Sequence, residues 1–174
     1  MGRCMPTLHV CPLSRLPETV AATGASHVLT LVNVGTPLER PALIDAENHA
    51  VIGVSDIAEP RDGHVLPADE HVAGILAFAR AWPRDKPLVI HCYAGISRST
   101  AAAYIAACAL APERDEGAIA DTLRAASPSA TPNPLFVAIA DRMLGREGRM
   151  VAAIARIGRG AEAFEGTPFC LTVT

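Results

Sequence analysis

Residues 87–111 read PLVIHCYAGISRSTAAAYIAACALA, and the order of residue types within them decides the fold. Pro87-Leu88-Val89-Ile90-His91 is a short apolar run bounded by turn signals, as a strand buried in a sheet requires. Ala101 to Ala111 carries no charged residue, so a helix there is apolar on every side and has to be buried. A strand that runs through a short loop into a buried helix puts that helix's amino end at the centre of an α/β domain.

Working outward, His27-Val28-Leu29-Thr30-Leu31-Val32 and His49-Ala50-Val51-Ile52-Gly53-Val54 also read as strands, able to lie beside the first in one sheet. Between the second and third, Asp69 to Trp82 sets Val72, Ile75, Leu76 and Ala79 at i, i+3, i+4 and i+7, the stripe of an amphipathic helix. Strand, helix, strand implies a right-handed crossover and parallel pairing. After Pro112, Arg114 to Ser127 reads as a surface helix, and SPSATPNP, residues 127–134, as a loop. A last helical stretch carries Leu135, Ile139 and Met143, is interrupted at Gly145 and Gly148, and resumes with Met150, Val151, Ile154 and Ile157. The expected class is α/β, a single domain over residues 1–174. A central mixed or parallel sheet is flanked by helices, the core covers about 27–157, and a weakly patterned tail covers 158–174.

Composition supports one globular domain: 174 residues, 50% hydrophobic and 19% charged, with a mean hydropathy of +0.26. A net charge of −3 and a pI near 6.0 argue against nucleic-acid binding. No window approaches the roughly 20 apolar residues of a membrane span. The stretch between Arg3 and Arg15 is broken by Pro6 and Pro12 and does not read as a secretory signal, so a cytoplasmic location is expected. Cys4, Cys11, Cys92, Cys108 and Cys170 form no C-x-x-C pair, and are read as reduced thiols with no zinc site. A regulatory disulfide from Cys4 or Cys11 to Cys92 stays open. Fourteen Arg against one Lys, with 32 Ala, suggest a GC-rich bacterial coding bias.

His91 to Thr100 carries the chemistry. The first N–H groups of a helix have no partner within it, and the helix dipole favours negative charge at that end, so a strand-to-helix turn is an anion cradle. A cysteine at its strand end, Cys92, is favoured there as the nucleophilic thiolate. Arg98, six positions on, can bring its planar fork over an anion above the sulfur, matching two oxygens bidentately as Lys cannot. Gly95 can take positive φ and let successive N–H groups converge. Ser99 can offer its hydroxyl to the thiolate. From the chain's own composition, H-C-x-x-G-x-x-R-[S/T] arises by chance with a probability of roughly 10⁻⁴.

The segment resembles the C-x5-R signature of the cysteine-dependent protein tyrosine phosphatases, and the length suits their small, dual-specificity-like branch. The resemblance is specific over residues 91–100 and extends over about 27–145 in element order. It implies a phosphomonoester hydrolase acting through a phosphocysteine. Cys92 would attack phosphorus. Arg98 and the loop from Tyr93 through Ala94, Gly95, Ile96 and Ser97 would bind the oxygens. Ser99 would assist departure of the thiolate, and His91 would hold the loop and the acidic thiol. It also implies an Asp general acid on a loop some 30 to 40 residues upstream. Asp56, directly after a strand, is favoured over Asp62, and Thr131-Pro132-Asn133-Pro134 resembles the family's Asn-Pro loop, in which Asn133 would brace the rim or simply cap the next helix. No cofactor or metal is expected. The substrate would be a phosphorylated protein or a small aryl phosphate, since positions 93, 94, 96 and 97 contain no Lys or Arg for further phosphates. His64 and His71 flank the acid loop as weaker substrate-binding candidates. Tyr93 could face core or pocket, and Cys108 reads as packing. Rhodanese-like sulfurtransferases and arsenate reductases also set a cysteine near an Arg. These alternatives, and an inactive phosphate-binding module, remain open.

Overall fold

The computed structural model describes residues 5–174. Five strands form one mixed sheet: β1 (Thr7–Pro12), β2 (His27–Val32), β3 (His49–Gly53), β4 (Leu88–Cys92) and β5 (Phe169–Thr172), in the order β3-β2-β4-β1-β5. All neighbours are parallel except β1 and β5, which run antiparallel. The expected α/β class and the three expected strands are present.

Helix α1 (Leu16–Thr23) covers one face, where Leu16 and Val20 pack with Cys11, Val28 and Val89. The larger core lies on the other face, under α2 (Asp69–Ala81), α3 (Arg98–Leu110), α4 (Glu116–Ala126), α5 (Pro134–Met143) and α6 (Arg149–Ile157). The buried residues of α2 are Val72, Ile75, Leu76 and Ala79, the predicted stripe. Helix α3 buries every residue but Ala109. Its run of small side chains brings it close to its neighbours, and its amino end faces the carboxyl end of β4. In α5 the stripe is partly displaced from the one expected: Ile139 is buried, together with Phe136, Val137 and Ala140, whereas Met143 is exposed. In α6 the expected Met150 and Ile154 are buried and Ile157 packs against the core, and Val151 alone of the expected four is exposed. No described helix is long and apolar enough to cross a membrane.

The sheet reaches beyond residues 27–157 at both ends. β1 sits between β4 and β5, and Leu8, Val10, Phe169, Leu171 and Val173 belong to the main core. The segment 158–174, expected to be a weakly patterned tail, carries β5 and thus closes one edge of the sheet. β1 places Pro12 at its last position, where the missing N–H interrupts no further ladder.

Candidate active site

The loop between β4 and α3 is held from outside by its carbonyl groups. Tyr93 O accepts from Leu13 N at 3.1 Å, Ala94 O from Gly166 N at 2.8 Å, Ile96 O from Thr131 N at 2.9 Å, and Ser97 O from Asn133 N at 3.3 Å. With its oxygens turned outward, the loop presents its N–H groups to the inside. Gly95 N–H donates to Cys92 Sγ at 3.2 Å. The N–H groups of Ala94, Ile96 and Ser97 find no acceptor among the described residues. Such convergent free donors make an anion nest. Gly95 has φ +69°, and a Cβ there would lie 2.8 Å from Pro12 N, so both its conformation and its seat on β1 require glycine.

Cys92 is buried at the floor of this nest, and Ser99 Oγ lies 3.1 Å from its sulfur, fully buried at the first turn of α3. Arg98 is 7% exposed. Its Nη1 donates to Asn33 Oδ1 at 2.8 Å and to Val54 O at 2.9 Å, so the ends of β2 and β3 anchor one side of the guanidinium. Its Nε is buried with no partner. An unpaired charged donor in the interior is costly, and an oxyanion over the loop would satisfy it. Asn33 was missed in the sequence. Its one signal was its place directly after β2, and its use depends on which loop that strand end meets.

His91 is fully buried. Its Nδ1 faces Cys92 O at 3.4 Å and its Nε2 faces Thr30 Oγ1 at 2.6 Å. A carbonyl only accepts, so Nδ1 carries the proton and Nε2 accepts from the Thr30 hydroxyl, whose oxygen is 2.8 Å from His49 Nε2. Burial pushes the His91 ring down to about 4, so it is neutral at physiological pH and holds the loop by hydrogen bonding rather than by charge. This fold-state value lies below the ordinary 6.5, and an unfolded chain therefore binds a proton that the folded chain refuses. Stability from His91 is fully present above pH 6.5 and falls by up to about 3 kcal/mol as the pH drops towards 4. His9, His27 and His49 are shifted the same way by burial and add to the slope. Urea midpoints between pH 7 and 4.5 should therefore decline, and less steeply in His91→Asn; parallel slopes would contradict this account.

Asp56 follows β3 at the neck of a loop closed by Ser55 N–H to Val65 O at 2.9 Å and Val65 N–H to Ser55 Oγ at 3.0 Å. Its Oδ1 accepts from Ser97 Oγ at 2.7 Å and from Asn133 Nδ2 at 2.9 Å, which ties it to the rim of the loop between β4 and α3. Asp62 is exposed in the turn at the far end of the same loop, and none of the described residues hydrogen-bonds its side chain. Asn133 is both brace and cap. Its Nδ2 reaches Asp56 and Ile57 O, while its Oδ1 caps α5 through Leu135 N–H and Phe136 N–H.

Other candidates lie elsewhere. His71 Nδ1 accepts the Ala68 N–H at the start of α2 and so acts as a helix cap, and His64 sits on the exposed turn. Tyr93 points outward, away from the core. Cys11 stands opposite His91 in the ladder and packs under α1, while Cys92 belongs to the core on the other face, so the two thiols project to opposite sides of the sheet and are not placed to pair. Cys4 lies outside the described residues. Burial pushes the Cys11 thiol up to about 11 and that of Cys108 up to about 12, which keeps both protonated and inert. Among the described residues no three His, Cys, Asp or Glu side chains are grouped so as to hold a metal ion.

No protein-family model and no curated protein sequence matches the chain. The fold does match solved phosphatases. DUSP15 superposes with a TM-score of 0.61 at 17% identity, over 90% of this chain and 95% of that one. Human DUSP28 gives 0.61 at 20% identity, over 80% and 94%. The PTP-2 phosphatase of Cydia pomonella gives 0.61 at 18%, over 78% and 84%. At such identities the likeness is one of fold, the fold expected from the strand-loop-helix segment.

Proposed function

We propose that the chain is a phosphomonoester hydrolase of the protein tyrosine or dual-specificity type, acting through a phosphocysteine at Cys92. The observation that carries this reading is the coincidence of a buried sulfur, unpaired loop N–H groups and the orphaned Arg98 Nε around one space. A phosphate dianion supplies the acceptors that these donors lack. A persulfide alone would leave them without oxyanion partners, which favours phosphoryl over sulfur transfer.

In the first step the Cys92 thiolate attacks phosphorus, the sulfur-phosphorus bond forms, and the ester oxygen leaves with the bonding electrons. The loop N–H groups and the free edge of Arg98 hold the three remaining oxygens. Asp56 gives its proton to the leaving oxygen. Because Oδ1 already accepts from Ser97 and Asn133, the transferable proton belongs on Oδ2. In the second step water attacks phosphorus, Asp56 takes a proton from it, and Cys92 leaves as thiolate with the Ser99 hydroxyl beside it. The reaction needs no metal, because guanidinium and amides neutralise the phosphoryl charge.

Asp56→Asn is expected to lower kcat by about 10²-fold for a substrate with a poor leaving group and to spare one with a good leaving group, since only the former needs its oxygen protonated. Rates measured over a series of aryl phosphates test this. If Asp62→Asn produces that dependence and Asp56→Asn does not, the acid is Asp62. The enzyme class is tested by steady-state assays with an aryl phosphate and with thiosulfate. Turnover of the first, lost in Cys92→Ser, is expected; turnover of thiosulfate alone would make the chain a sulfurtransferase. Phosphopeptide binding with no turnover would make it a binding module.

A further inference from the structure

The chain has four Phe, two Tyr and one Trp. Of these only Tyr93, 64% exposed, and Phe164, 88% exposed, are turned to solvent. Both line a single cleft of about 190 Å³, together with Leu13, Ser14, Ala94 and Glu165. Two of its walls, Tyr93 and Ala94, are the first residues of the phosphate-binding loop. The remaining exposed aromatic surface is therefore gathered beside the place where the phosphate would sit.

Phe164 is held there by a fastened backbone. Gly160 N–H donates to Thr131 Oγ1 at 3.1 Å, Ala161 N–H to Pro128 O at 2.9 Å, and Gly166 N–H to Ala94 O at 2.8 Å. Glu165 accepts from Ser14 Oγ at 2.6 Å. At both ends of the segment the contact is so close that only glycine fits. A Cβ on Gly160 would lie 2.5 Å from Ser129 C, and one on Gly166 2.6 Å from Gly95 O. Between these anchors Phe164 projects into water without a packing partner of its own kind. Phe164 also lines a second, wider cleft of about 630 Å³, whose lining includes Asp56 and Ser97. Phe164 thus stands at the rim between the nucleophile's loop and the acid.

We infer that Phe164 and Tyr93 form the walls of an aryl slot that receives the ring of a phosphotyrosine, making the C-terminal segment 159–166 the element that selects aromatic over aliphatic phosphate esters. This rests on the phosphatase reading above. An aromatic ring between two aromatic walls gains contact area and edge or offset stacking, whereas phosphoserine has no atoms to place there. The one charged group in the slot, Glu165, is already hydrogen-bonded to Ser14, and it disfavours anionic over neutral apolar occupants.

The test uses the full chain carrying Cys92→Ser, with and without Phe164→Ala, and two fluorescently labelled peptides identical except for phosphotyrosine or phosphoserine. Anisotropy should show phosphotyrosine-peptide binding weakened about tenfold by Phe164→Ala, phosphoserine-peptide binding changed much less, and Phe164→Tyr restoring the first. Equal weakening of both peptides, or of neither, would overturn the aryl slot. If the Cys92→Ser chain bound neither peptide and no inorganic phosphate, the phosphatase reading itself would fall, and the slot with it. Thermal unfolding of each variant reports whether the fold is retained, as the exposure of Phe164 predicts.

Discussion

Cys92→Ser is expected to lower the hydrolysis of an aryl phosphate by about 10⁴-fold or more while phosphate and phosphopeptides still bind. A serine at this position has no means of activation. A hydroxyl is not ionised at neutral pH and needs a base, and the nearest imidazole, His91, has both nitrogens committed, one to Cys92 O and one to the Thr30 hydroxyl. Ser99 Oγ, 3.1 Å from the sulfur, is another hydroxyl and no base. The cradle of N–H groups belongs to the backbone and survives the substitution. Measured together, kcat and the phosphopeptide Kd should separate: the first collapses and the second holds. Activity within tenfold of the unsubstituted chain would mean that the sulfur is not the nucleophile.

Arg98→Lys is the other large effect, expected at about 10³-fold in kcat/KM despite the retained charge. On the proposed mechanism Arg98 performs two tasks at once. Nη1 is fastened to Asn33 Oδ1 and Val54 O, and this fixes the plane in which the rest of the guanidinium is offered to an oxyanion. Lysine has a single nitrogen. If it bonds Asn33 and the Val54 carbonyl it cannot also span two phosphoryl oxygens, and if it turns to the phosphate it leaves Val54 O without a donor. A lysine variant with near-normal kcat/KM would show that charge alone suffices and that the fork is unimportant.

Much of this architecture was legible in the sequence because it depended on local pattern. The α2 stripe needs only a period of 3.6, and the uncharged Ala101 to Ala111 could be nothing but buried. Cys92, Arg98 and Ser99 sit on one short loop, so their spacing already carries their proximity. What was not legible depends on packing between distant segments. β1 is six residues ending in proline, and β5 is four residues that become a strand only because β1 offers them an edge. Asn33 acquires its task from Arg98, 65 positions away, and Asn133 acquires one of its two from Asp56, 77 positions away. The role of residues 159–166 depends on two glycines whose value lies in how near another backbone comes, which no periodicity records.

The seat of Gly95 has a bearing on how the chain becomes competent. On one side it rests on the end of β1, and on the other Gly166 presses against its carbonyl, so the bowl around the sulfur is clasped by residues about 80 positions before and about 70 positions after it. Contacts separated so widely along a polymer form late, after nearby ones have condensed. During vectorial synthesis the proposed nucleophile, Cys92, therefore emerges long before its bowl can close, and a growing polypeptide would carry the thiol without the loop geometry that the proposal requires.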